Sequence, residues 1–160
     1  MQILIHELKK ATENNLWFIA INIALTIPDI CSALESENGQ TKGEKYIKWV
    51  NTYLVEKYNN FIAGEDIWKL RCASLHQGKF NHDNPRFNKV IFQVPFNGNS
   101  GGMHNNIIGG TLQLNAMIFV TDIINSYEEW LSANKENSFI KANLENSFSL
   151  YESKVGMFIG

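Results

Sequence analysis

Residues 114–133 read LNAMIFVTDIINSYEEWLSA, and this stretch decides the fold class. It is apolar nearly all round from Ala116 to Val120 and one-sided at Ile123, Tyr127, Trp130 and Leu131, a period that belongs to an α-helix. A helix with so much apolar surface has to be surrounded by others, so it is expected at the centre of a bundle and as its most buried element.

Upstream, KVIFQV (Lys89 to Val94) alternates and is rich in β-branched and aromatic residues, which predicts a strand that Pro95 ends. The following FNGNSGGMHNNIIGG (residues 96–110) reads as a flexible connection returning through a second strand near Ile107 to Leu112. Its glycine pairs, Gly101-Gly102 and Gly109-Gly110, are better read as loop freedom than as a phosphate cradle. Residues 88–112 are thus expected to be a small β-hairpin insertion in a mainly α bundle.

Further upstream, Gly64-Glu65-Asp66 opens a helix with acids in its first turn, and Gly78 supplies a left-handed stop. Tyr46, Ile47, Val50, Tyr53 and Leu54 form the apolar stripe of the helix before it, and ENGQTKG (residues 37–43) is a polar loop. At the N-terminus, Leu4, Leu8 and Ala11, then Trp17, Ile21, Ala24 and Leu25, predict one long or broken amphipathic helix. Thr26-Ile27-Pro28-Asp29 looks like a restart, with proline near the first position of a short helix reaching about Ser36. A last short helix is expected around Phe139 to Phe148.

The chain has 160 residues, 44% of them hydrophobic and 19% charged, which suits one globular domain over 1–160. A chain of this size buries roughly 70% of the surface its unfolded form exposes, so a core needs no staples. Cys31 and Cys72 have no disulfide or metal spacing, and the opening MQILIHELKKATENNLWF lacks the apolar run of a signal peptide. The apolar run from Leu16 to Ile30 is read as core. A cytoplasmic protein with no membrane partner is the expectation.

Net charge is -2, which alone points to no polyanionic partner. Between Ile67 and Val90, however, Lys69, Arg71, Lys79, Arg86 and Lys89 face only Asp83, a balance of +4 that leaves -6 elsewhere. His76 and His82 lie in the same stretch, so a phosphate is most reasonably held there.

Within GEDIWKLRCASLHQGKF (residues 64–80), Arg71 and His76 stand five apart on a helix that ends at Gly78. Imidazole exchanges protons near neutral pH, and guanidinium holds phosphate oxygens and stabilises the charge that develops on them. Spacing of i, i+5 leaves the two side chains about 140° apart on an ideal helix, so one copy is not expected to form a compact site.

This Arg, four residues, His arrangement resembles the signature of the HEPN superfamily, helical proteins that include metal-independent ribonucleases. The resemblance covers about two thirds of the chain, the Lys89 to Leu112 segment lying outside it. It implies a homodimeric endoribonuclease acting on RNA, with Arg71 and His76 catalytic, no cofactor or metal, and a 2',3'-cyclic phosphate product. Two subunits would bring their motifs together in a shared cleft. Ser74, Lys69, Lys79, His82 and Arg86 are the candidate substrate-binding residues. Superfamily members often serve as toxins or in phage defence, so an antitoxin or other protein partner is part of the same expectation.

The family usually places a polar residue directly after the arginine, where this chain has Cys72. A rival reading is therefore a non-catalytic HEPN-like module that binds a nucleotide, a nucleic acid or a protein. In a plainer alternative Arg71 pairs with Glu65 or Asp66 and His76 serves only the helix end. A metal held by His76, His82, Asp83 and His104 is disfavoured by their spacing. Trp17, Trp49, Trp68 and Trp130 read as core or subunit interface, and Cys72 as a small packed residue.

Overall fold

Asn14, Asn15 and Leu16 divide the N-terminal apolar stretch into two helices, α1 (Gln2–Glu13) and α2 (Trp17–Leu34). Asn15 takes a φ of +57°, a left-handed conformation that asparagine tolerates and that turns the chain back. The computed structural model describes residues 1–59, 61–80, 84–96 and 102–147. Described in this way, the protein is mainly helical with a small three-stranded sheet.

α2 runs unbroken through Pro28, where the sequence suggests a restart. Proline removes one intrahelical hydrogen bond, but Ile27, Pro28 and Asp29 are all buried, and packing outweighs the local preference. Eleven of the eighteen residues of α2 are buried, against seven of the eighteen in the helix at residues 116–133. α2 and not the later helix is therefore the most buried element, because α1 and each of the other helices below pack against it. It is long and apolar enough to cross a membrane, and most of it is buried inside the fold.

α3 (Gly43–Tyr53) passes through a 3-10 turn at Val55–Tyr58 into α4 (Gly64–Gln77). Gly64 allows a close approach: a Cβ there would lie 2.7 Å from both the Ile47 carbonyl and Asn51 Oδ1. Its N–H instead donates to Asn51 Oδ1 at 2.8 Å, tying the start of α4 to α3. At the other end Gly78 is left-handed at φ +63°, and the N–H groups of Gly78 and Lys79 donate to Ser74 and Ala73, as expected.

β1 (Lys89–Gln93), β2 (Asn106–Ile108) and β3 (Thr111–Asn115) form a sheet in the order β1-β3-β2. The segment is more than the hairpin expected from sequence. The hairpin joins β2 to β3 through Gly109 and Gly110, pairing Ile107 with Leu112, while β1 lies parallel to β3 with Lys89 opposite Thr111. Val90, Leu112 and Leu114 turn inward, and Phe80, Phe92 and Phe119 meet edge to face beneath the sheet.

α5 (Ala116–Ala133) follows β3 directly, with Asn115 Oδ1 accepting from the Ile118 N–H at 3.1 Å as its N-cap. Its inward stripe is Phe119, Val120, Ile123, Tyr127 and Trp130, whereas Met117, Ile118 and Leu131 reach solvent despite their apolar character. α6 (Ser138–Glu145) begins where expected but ends three residues earlier. Phe148 lies outside the described residues.

Candidate phosphate-handling site

The site is built where α4 crosses α2. Arg71 Nε donates to Asp29 Oδ2 at 2.7 Å, a charge-assisted bond between side chains only 20% and 12% exposed. The guanidinium lies 5.2 Å from the Trp68 ring centroid, and Trp68 in turn rests on Tyr46 at 5.0 Å. Tyr46 is fully buried and donates its hydroxyl to the Leu25 carbonyl at 3.0 Å. Arg71 is thus held from one side by a carboxylate and from below by an indole.

Its remaining edge faces His76. Arg71 Nη1 lies 3.4 Å from His76 Nε2, a long contact. Within a single chain the two groups meet, contrary to the separation that ideal helix geometry suggests. The reason is reach: the long arginine arm crosses the angle between the two Cα positions. His76 is exposed in the last turn of α4, where a positive charge suits the carbonyl end of the helix.

Burial raises the Asp29 carboxyl from its ordinary value, and the charge and hydrogen bond of Arg71 offset this only in part. The partner of Arg71 is thus neither Glu65 nor Asp66. The two Asp66 oxygens accept from the Ala63 N–H and from Asn84, and Arg86 Nη2 stands 3.9 Å away.

The remaining candidate residues divide by position. Ser74 is buried and donates to Asn22 Oδ1 at 2.7 Å, so its hydroxyl joins α4 to α2. Lys69 and Lys79 are exposed, Lys79 directly after the helix stop. Arg86 lies over Phe61 and beside Asp66 in the first turn of α4, about 15 Å along the helix from His76, and is not brought to the pair. His82 and Asp83 lie outside the described residues.

His104 belongs to another part of the fold, with Nδ1 accepting from the Asn115 N–H at 3.2 Å and its ring against Tyr58. Among the described residues no three metal-ligating side chains come together. Cys72 is half-buried and Cys31 buried. Trp17, Trp49 and Trp130 are core, while half-buried Trp68 is part of the site.

Sequence reasoning missed Asp29, Asn22 and Trp68. Asp29 left a usable signal, since an acid inside an otherwise apolar buried helix requires a cationic partner. No family model, curated protein or solved structure matches the chain.

Proposed function

We propose that the protein is a HEPN-like, metal-independent endoribonuclease that acts on RNA as a homodimer. The observation that carries this reading is the approach of Arg71 Nη1 to His76 Nε2 at the surface, with Arg71 aligned by Asp29. A phosphodiester entering there has a guanidinium for its non-bridging oxygens and an unprotonated imidazole nitrogen for the ribose 2'-hydroxyl. His76 takes the 2'-hydroxyl proton, the 2'-oxygen attacks phosphorus, and the bond to the 5'-oxygen breaks. The departing oxygen needs a proton from a second acid, which a second copy of the motif supplies as imidazolium. The products are a 2',3'-cyclic phosphate and a 5'-hydroxyl.

A second copy has a surface to dock on. Leu75 beside His76, and Leu16, Phe18 and Ile19 at the start of α2, are all at least 40% exposed. The Ser74–Asn22 bond and the contact of the Phe18 and Phe80 rings keep these elements side by side. Exposed apolar surface of this kind is characteristic of protein interfaces.

Purified protein is expected to cleave single-stranded RNA in EDTA and to leave cyclic phosphate ends. Arg71→Ala and His76→Ala are each expected to lower the rate by 100-fold or more, within the about 10²- to 10⁴-fold range of general acid–base catalysis. Undiminished activity in either variant refutes the proposal. Salt-dependent RNA binding without cleavage selects the non-catalytic module instead.

A further inference from the structure

Beside Asp29 lies a cavity of about 540 Å³, within the size range of small-molecule sites. α2 contributes Asp29, Ile30, Ala33 and Leu34 to its wall, and the loop after α2 contributes Asn38 and Thr41. Ile30, Ala33 and Leu34 suit the face of a flat ring, and Asp29 suits its polar edge.

The cavity adjoins the Arg71 site through two observations. Asp29 belongs to both, its Oδ2 bonded to Arg71 and its Oδ1 with no hydrogen-bond donor among the described residues. The loop carrying Asn38 and Thr41 then ends at Gly43, where a Cβ would come within 3.1 Å of Trp68, the ring beneath Arg71.

Asp29 selects among ligands by chemistry. With Oδ2 taken by Arg71, the lone pairs of Oδ1 accept and cannot donate, so they are matched by an edge carrying adjacent N–H groups. Guanine presents N1–H and the N2 amino group side by side. Adenine sets the lone pair of N1 against the carboxylate, and a pyrimidine ring leaves more of the cavity unfilled. We propose that the cavity is a base subsite that takes guanine, its N1–H and N2 amino edge on Asp29. The linkage to a neighbouring scissile phosphate rests on the nuclease reading, whereas binding of the base does not.

The test is equilibrium binding of GMP, AMP and UMP to the full-length chain, followed by calorimetry and by shifts of the Ile30 and Leu34 methyl resonances. GMP is expected to bind about tenfold or more tighter than AMP, the discrimination typical of one well-made edge pair, and to shift both methyls. Ala33→Phe fills the cavity without touching Arg71 or His76 and is expected to abolish GMP binding while leaving the circular dichroism spectrum unchanged. Should that variant not fold, the methyl shifts of the unsubstituted protein decide the question alone.

Equal binding of the three nucleotides, no binding, or GMP shifts confined to residues away from Ile30 and Leu34 overturns the inference. The two proposals fail separately. Cleavage of RNA with no base preference and no GMP binding removes the base subsite and leaves the nuclease, and GMP binding without cleavage does the reverse.

Discussion

Asp29 and Arg71 are most directly tested by a double-mutant cycle on folding stability, using Asp29→Asn, Arg71→Gln and the double variant. Two unit charges about 4 Å apart attract by about 4 kcal/mol at an effective dielectric of about 20. The pair here is closer, with 2.7 Å between Nε and Oδ2, but neither side chain is sealed, at 20% and 12% exposed. Exposed pairs yield only about 0.2–1 kcal/mol in such cycles, and breaking fully buried ones costs about 3–5 kcal/mol. A coupling of about 2 kcal/mol follows. Arg71→Gln is expected to be the costlier single change, because it abandons a carboxylate whose burial is already unfavourable. Asp29→Asn keeps an oxygen for the Nε–H to reach. Urea and thermal unfolding of the four proteins supply the cycle, and about 2 kcal/mol corresponds to about 4–8 °C in Tm for a domain of this length. A coupling below about 0.5 kcal/mol would show that Asp29 does not hold the guanidinium, and the account of the site's geometry fails with it.

Four further outcomes are expected. Because the folded Asp29 carboxyl titrates above its ordinary 3.8, its contribution to stability is fully present below that value and is lost as pH rises through the folded pKa; urea unfolding across this window should show that loss in the wild type and not in Asp29→Asn. His104 is lowered from 6.5 by burial and accepts at Nδ1 from the Asn115 N–H, so its contribution is present above 6.5 and lost as pH falls through the folded value; NMR titration at or above 6.5 contradicts this. Gly64→Ala presses a methyl against the Ile47 carbonyl and is expected to cost about 1–3 kcal/mol by overpacking, whereas Gly78→Ala meets nothing within 4 Å and costs about 1–2 kcal/mol through its left-handed backbone alone; equal melting of either variant and wild type counts against the corresponding argument. Phe119→Ala removes a fully buried ring stacked edge to face on Phe92 and is expected to cost about 3–5 kcal/mol by chemical denaturation.

Features whose physics is local could be read from sequence, and those that depend on packing could not. The bounds of α4 follow from acids in its first turn and a glycine that only needs a positive φ, and the helix expected over Leu114 to Ala133 follows from its apolar period, although its first two residues belong to β3. β1 was visible as an alternating segment, but its parallel pairing with β3 joins residues 22 apart, a choice set by the core beneath Val90 and Leu112. The break expected at Pro28 shows the same limit, since local preference points one way and burial of Ile27, Pro28 and Asp29 prevails. In the site, Arg71 and His76 share one helix and were readable as a pair. Asp29 lies 42 residues from Arg71, and only the packing of α2 on α4 brings them together.

That packing makes one helix responsible for both stability and chemistry. α2 presents Asn22 to Ser74 and Asp29 to Arg71 along its crossing with α4, two polar contacts separated by two turns of α2. Each contact satisfies a polar group that would be costly to bury alone, so together they fix the register in which the helices cross. A slip of one residue along either helix turns a side chain by about 100° and parts both pairs at once. The seating of α4 on α2 therefore holds Arg71 through Asp29, and the reach of its side chain along α4 brings it to His76. On the nuclease proposal, a substitution deep in that interface should then weaken RNA cleavage before it unfolds the chain, whereas one on the outer face of α5, at Met117 or Ile118, should leave cleavage unchanged.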